Sequence, residues 1–331
     1  MVFVIFILAA ALTVFASIKL SQYADVISSK TAMGGMMVGT LLLAGATSLP
    51  EVSTSFSAAA IGNADIAVGN MIGSNLFNLF ILAGFDFLLR RRQILHRASR
   101  DNIYTALLGI LLTIMVILSL WLRLDIQILG VGLDALIIAI TYIIGMVLIN
   151  KLPSLDPEAE AIVESEEEPE NPSASLSPKG AIVRFIVAAL VILAAGTALS
   201  ITGDQIAIIT GIGSSFIGSF LIAAATSLPE AISVFVALRL SNVNMAVGAI
   251  LGSNIFNMII LALSDPVYTA GPIMLDVSGA NMIIAVGVLI MSLLALFSLY
   301  RKKSASTLSY AVPSVIILIV YFAASYMNFT Y

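Results

Sequence analysis

Uncharged apolar stretches recur from one end of this chain to the other, each near the roughly 20 residues a helix needs to cross a bilayer. Backbone in lipid must satisfy its own hydrogen bonds, so such stretches fold as helices or close into barrels. The runs here are continuous rather than alternating, which disfavours strands. Of the 331 residues 60% are hydrophobic and 10% are charged, against about 25% charged in soluble domains. There is no cysteine, which removes disulfides, iron–sulfur clusters and thiol chemistry. The N-terminal Met1-Val2-Phe3-Val4-Ile5 carries no basic residue, so the first stretch reads as a retained helix rather than a cleaved leader.

The expected fold is an all-α integral membrane protein with ten transmembrane helices. The spans read as 2–20, 31–61, 66–89, 102–122, 126–150, 181–202, 205–238, 243–264, 277–300 and 306–328. With ten spans, fourteen of the fifteen Lys and Arg residues fall on one side, and Arg123 alone falls on the other. Positive charge marks the cytoplasmic side. The expectation is therefore a multi-pass cell-membrane protein with both termini extracytoplasmic. Residues 151–179 form an acidic, proline- and serine-containing cytoplasmic linker, running through Asp156, Glu158 and Glu164 to Glu170, and too polar to fold alone. The net charge of −4 comes almost wholly from this loop. No nucleic-acid partner is expected; the partner is the lipid bilayer.

A second constraint is an internal repeat. Residues 40–82 and 219–261 align without a gap at an offset of 179, with 21 identities in 43 positions. The identities include Thr47/Thr226, Ser48/Ser227, Pro50/Pro229, Glu51/Glu230, Ser74/Ser253, Asn75/Asn254 and Asn78/Asn257. Chance likeness between two apolar helices would match Leu and Ile instead. Residues 1–150 and 180–331 thus read as two five-helix repeats. Five is odd, so the second repeat enters the membrane from the opposite side. Inverted repeats with interrupted helices are a secondary-transporter architecture, with the substrate near the midplane where the repeats meet. The interruptions are expected at Pro50 and Pro229.

Glu51 is the only charge between residues 31 and 64, and Glu230 the only one between 205 and 238. A charge inside an apolar span costs at least about 2.5 kcal/mol and normally faces a cavity or an ion path. On a helix, Thr47 and Ser48 lie one turn before Glu51 and share its face. Thr226 and Ser227 stand likewise to Glu230, and Ser74 to Asn78. Each Pro frees a carbonyl four residues earlier, at Ala46 and Ala225. Every convergent atom is oxygen, which suits hard cations. Ca²⁺ takes six to eight oxygens flexibly, whereas Mg²⁺ prefers strict octahedral geometry. Two carboxylates balance one Ca²⁺, and the same ligands could divide among several Na⁺ ions. The glycine pairs Gly69/Gly73 and Gly248/Gly252 are spaced for close helix approach. The single His96 sits in the basic loop and reads as solvated. Asp134 is an intramembrane acid without a repeat partner. The methionines, including Met33, Met36 and Met37, read as lipid or core contacts.

Ala-Thr-Ser-Leu-Pro-Glu at 46–51 and 225–230, with Gly-Ser-Asn-x-Phe-Asn at 73–78 and 252–257, resembles the α-repeats of the cation/Ca²⁺ exchanger superfamily. It is most similar to the prokaryotic-type sodium/calcium exchanger branch. The resemblance implies an antiporter that exchanges Ca²⁺ for Na⁺ by alternating access, with the ions as substrates and no cofactor. It implies Ca²⁺ coordination by Glu51 and Glu230. It also implies Na⁺ subsites at Thr47, Ser48, Thr226, Ser227, Ser74 and Ser253, a centre completed by Asn78 and Asn257, and carbonyls around Ala44 and Ala223. Two departures stand out: Ala46 and Ala225 replace a frequent Gly, and Asn257 replaces an acid present in some members. Related proton exchangers carry a Gly-Asn-x-x-Glu pattern, which is absent at these motifs and ranks Ca²⁺/H⁺ exchange second. A cation channel is disfavoured by the paired mid-helix breaks. An enzyme is not expected, because no Ser–His, paired catalytic Asp or metal–His arrangement exists.

Overall fold

The computed structural model describes residues 1–30, 47–153, 155, 173, 175–239, 241–301 and 306–331. Ala44, the first half of the expected 31–61 helix, its three methionines and the acidic run 156–172 lie outside the described residues.

The described chain is nearly all helical. In order come α1 (Val2–Lys30), α2 (Leu49–Ala60), α3 (Ala64–Leu88), the short α4 (Ile94–Arg97) and α5 (Asn102–Leu122). A hairpin, β1 (Gln127–Ile128) and β2 (Val131–Gly132), leads into α6 (Leu133–Ile149). Then follow α7 (Pro178–Thr210), α8 (Ser214–Thr226), α9 (Leu228–Arg239), α10 (Val243–Ser264), the short α11 (Ile273–Asp276), α12 (Gly279–Tyr300) and α13 (Thr307–Thr330). Among the described residues seven helices are long and apolar enough to cross a membrane. The bent pair α8–α9 makes an eighth, and α6 is shorter at 17 residues. Large apolar side chains such as Ile7, Trp121, Ile208 and Phe322 are exposed on the outside, as a lipid-facing surface requires. Helix α3 is buried along most of its length and packs against α2, α8, α10, α12 and α13.

Three boundaries differ from the sequence expectation. Helix α1 runs to Lys30 instead of ending near 20, because Ala24, Val26 and Ile27 are buried in its continuation, packed with Ala181 and Phe185 of α7. Helix α7 runs through Thr202-Gly203-Asp204 to Thr210. Gly203 is a packing residue there, since a Cβ on it would meet Ile222 at 2.8 Å, and Asp204 accepts a bond from the Asn63 amide at 2.7 Å. The helix stops where Gly211 adopts φ +72°, the left-handed end that glycine permits. The fifth expected helix starts at Leu133 rather than 126. Leu129 and Gly130 both have positive φ (55° and 81°), which is the two-residue turn of a tight hairpin, so a strand pair stands where a helix was expected.

The 179-residue offset extends beyond the 43 aligned positions. Helices α4 and α11 stand at that offset residue for residue. Asn63 and Asn242 cap α3 and α10 with the same bond, to the N–H groups of Ile66 and Met245. Asp65 accepts from the Ser278 N–H at 2.8 Å, and its counterpart Asn244 accepts from the Ser99 N–H at 2.6 Å. Swapped contacts of this kind are what a two-fold relation between halves produces.

Candidate functional site

The two Thr-Ser-Leu-Pro-Glu segments turn in the same way at their serines. Ser48 has φ −90° and ψ 4°, and Ser227 has φ −91° and ψ 3°. At Ser227 the chain bends by 43°. The turns therefore lie two residues ahead of Pro50 and Pro229 rather than at them. Each Pro sits in the first turn of the following helix, where its missing N–H costs nothing. Glu51 and Glu230 occupy those same first turns, where the helix dipole favours negative charge.

The turns change which side chains meet. Ser227 does not pair with the Glu of its own segment; its hydroxyl donates to Glu51 Oε1 at 3.3 Å, across the repeats. Glu230 Oε1 instead accepts from Ser253 of α10 at 3.5 Å. Thr226 also faces the Glu51 carboxylate, and Glu230 lies within Coulombic reach of it. Both glutamates are buried, at 1% and 4% exposure. Ser48, Ser74, Asn78, Asn257, Ala223, Thr226 and Ser227 are buried with them, while Thr47 and Ser253 are half-buried. The Ala223 carbonyl accepts the Ser227 N–H at 3.0 Å and the Thr226 hydroxyl at 3.3 Å.

Among the described residues eleven buried side-chain oxygens have no hydrogen-bond partner, and five of them belong to the expected site residues: Glu51 Oε2, Glu230 Oε2, Ser74 Oγ, Asn78 Oδ1 and Asn257 Oδ1. Buried polar atoms are almost always paired, and both carboxylates and both repeats contribute to this set. All five can accept, and acceptor oxygens with two carboxylates among them suit a hard cation. Among the described residues no group of three His, Cys, Asp or Glu could hold a metal, so any ion here is held mostly by neutral oxygens.

Two amides with no role in the sequence reading, Asn75 and Asn254, hold the centre together. Asn78 donates to Asn254 Oδ1 at 3.0 Å, and Asn257 donates to Asn75 Oδ1 at 2.9 Å. These bonds use the NH₂ groups of Asn78 and Asn257 and leave their oxygens free. The glycines act as expected in the first repeat: a Cβ on Gly73 would lie 2.2 Å from the Ser219 carbonyl oxygen. That contact falls on Ile217–Ile222, a π-helical stretch of α8 that the sequence reading did not foresee. In the second repeat a Cβ on Gly248 would meet Asn102 at 3.5 Å, and none of the described residues lies within 4 Å of one on Gly252.

The acids outside the centre close loops. Buried Asp86 accepts from Tyr310, Ser314 and the Leu95 N–H. Its repeat counterpart Asp265 accepts from the N–H groups of Gly132 and Ile273. Asp134 lies beside that loop, in the first turn of α6, and accepts from the Ala135 N–H. The offset was the signal that would have found the Asp86/Asp265 pair. His96 is half-buried rather than solvated, edge-on to Tyr310 with centroids 4.6 Å apart.

An all-helical membrane bundle with a duplicated pair of buried glutamates is the frame of a cation antiporter. A family model described as sodium/calcium exchanger protein matches residues 1–150 and 180–330, and the chain belongs to that family. It is 30% identical to CaxA of Alkalimonas amylolytica, provisionally named an antiporter, over 68% of this chain and 67% of that one. It is 25% identical to the inner membrane protein YrbG of Escherichia coli strain K12, over 79% of this chain and 78% of that one. Its fold resembles the H⁺/Ca²⁺ exchanger CAX with a TM-score of 0.69 and 18% identity, covering 99% of this chain and 86% of that one. It also resembles the sodium–calcium exchanger NCX_Mj with a TM-score of 0.58 and 21% identity, covering 98% and 97%. The chain is thus a multi-pass membrane protein of a Ca²⁺ exchanger family whose ions are substrates.

Proposed function

We propose that this protein exchanges Ca²⁺ for Na⁺ by alternating access, at a site formed where two inverted five-helix repeats, residues 1–150 and 180–331, meet. Residues 151–179 link them on the cytoplasmic side, and both termini are extracytoplasmic. Glu51 and Glu230 bind Ca²⁺. Asn78 and Asn257 complete the centre. Thr47, Ser48, Thr226, Ser227, Ser74 and Ser253 line the Na⁺ subsites, and the carbonyls around Ala44 and Ala223 also contribute.

The observation that carries this reading is the set of five partnerless buried oxygens on residues of both repeats. One Ca²⁺ neutralises two glutamates, and three Na⁺ leave a net charge of +1. The bare pair carries two unpaired negative charges in an apolar span, a costly state to close over. Exchange follows, because only loaded states cross at acceptable cost. A second reading, Ca²⁺/H⁺ exchange, is favoured by the Coulombic proximity of Glu51 and Glu230, which two protons would also relieve. Reconstituted flux tests the site: Glu51→Gln or Glu230→Gln abolishes Ca²⁺ transport, and wild-type flux in either removes that residue from the centre.

A further inference from the structure

The two repeats also differ beside the site, at Asn70. Asn70 of α3 is fully buried, and its repeat counterpart is Ala249. Its amide donates to Ser55 Oγ of α2 at 3.0 Å, and the Ser55 hydroxyl donates to the Ala67 carbonyl at 3.0 Å. The counterpart of Ser55 is Val234, so neither member of this bridge is repeated. With its NH₂ committed to Ser55, Asn70 presents Oδ1 to Thr226, whose hydroxyl donates to it at 3.3 Å. Every proton along the line from Thr226 to Ala67 is thereby directed one way.

A threonine hydroxyl has one proton and two lone pairs. Two acceptors lie within hydrogen-bond distance of the Thr226 hydroxyl, Asn70 Oδ1 and the Ala223 carbonyl, each at 3.3 Å, and the Glu51 carboxylate faces it without a direct hydrogen bond. The Ala223 carbonyl already takes the Ser227 N–H at 3.0 Å. If the Thr226 proton goes to Glu51, one carboxylate lone pair is spent and the Thr226 oxygen turns its positive end toward the ion. If it goes to Asn70, Glu51 keeps that lone pair and Thr226 becomes an oxygen ligand.

We infer that Asn70 is a positioning residue that draws the Thr226 hydroxyl proton away from Glu51, so that Thr226 can ligate the transported cation, in one half of the site only. This rests on the cation site proposed above. It makes the two Thr-Ser-Leu-Pro-Glu halves unequal despite their identical sequence.

The test is Ca²⁺ flux in proteoliposomes, once Glu51→Gln has been found inactive; an active Glu51→Gln would sink the site reading itself. Asn70→Ala should raise the Na⁺ concentration that half-saturates the exchange roughly fivefold, the scale of one hydrogen bond, with the maximal rate within about twofold of wild type. Thr226→Ala should raise half-saturation at least as much, and the double variant should be no worse than Thr226→Ala alone, because one acts through the other. Ser55→Ala keeps Asn70 and loosens only its amide; it should shift half-saturation about twofold and be silent in the Asn70→Ala background. That variant carries the test if Asn70→Ala does not fold. Unchanged half-saturation, a loss of maximal rate that tracks melting temperature, or multiplying effects in the double variant would each overturn the inference.

Discussion

Asn75 and Asn254 exchange hydrogen bonds across the middle of the molecule: the Asn75 amide donates to the Asn254 carbonyl at 3.0 Å, and the Asn254 amide returns a bond to the Asn75 carbonyl at 3.4 Å. They stand 179 residues apart, so each performs on the other repeat the task its counterpart performs on its own. Their side-chain oxygens also hold Asn257 and Asn78.

Asn75→Ala and Asn254→Ala should therefore cost similar stability, roughly 2 kcal/mol each, since each strands a buried amide. Thermal unfolding in detergent checks this. A loss confined to one of the two would contradict a shared central role.

Gly73→Ala should be far worse than Gly109→Ala. The first drives a Cβ to 2.2 Å from the Ser219 carbonyl oxygen, while the second meets Ile255 at an ordinary 3.4 Å. Overpacking of this kind costs about 1–3 kcal/mol. Melting temperatures of the two variants make the comparison.

His96 titrates below its usual value, chiefly because burial disfavours its charge and secondly because Arg301 repels it, with Asp86 acting the other way. A histidine whose pKa is lowered on folding binds protons more readily when unfolded, so stability rises with pH. It should be fully present at neutral pH and should fall as pH drops from about 6.5, the ordinary histidine value, through the lowered one. His96→Asn should flatten that decline in melting temperature. An unchanged slope would assign it to other groups.

The span positions and the two glutamate segments were legible because lipid demands long apolar runs and because a polar repeat cannot arise from apolar likeness. Pro50 and Pro229 stand two residues after the turns at Ser48 and Ser227, and a Pro tolerated in a first turn looks, in sequence, like the break itself. The Asp65/Asn244 equivalence was invisible to identity matching, although either side chain supplies the one oxygen that the Ser278 and Ser99 N–H groups need. Asn70 is hidden for the opposite reason: repeat identity marks only residues that have a pair, and Asn70 has none. The extension of α1 and α7 depended on their packing against each other, which no single stretch of sequence displays.

The central claim is the exchange itself, and the most direct measurement is Ca²⁺ uptake into proteoliposomes with Na⁺, K⁺ and H⁺ gradients imposed one at a time. An outward Na⁺ gradient should drive uptake that saturates with Ca²⁺ and vanishes in Glu51→Gln and Glu230→Gln. Uptake driven by a proton gradient and indifferent to Na⁺ would contradict it.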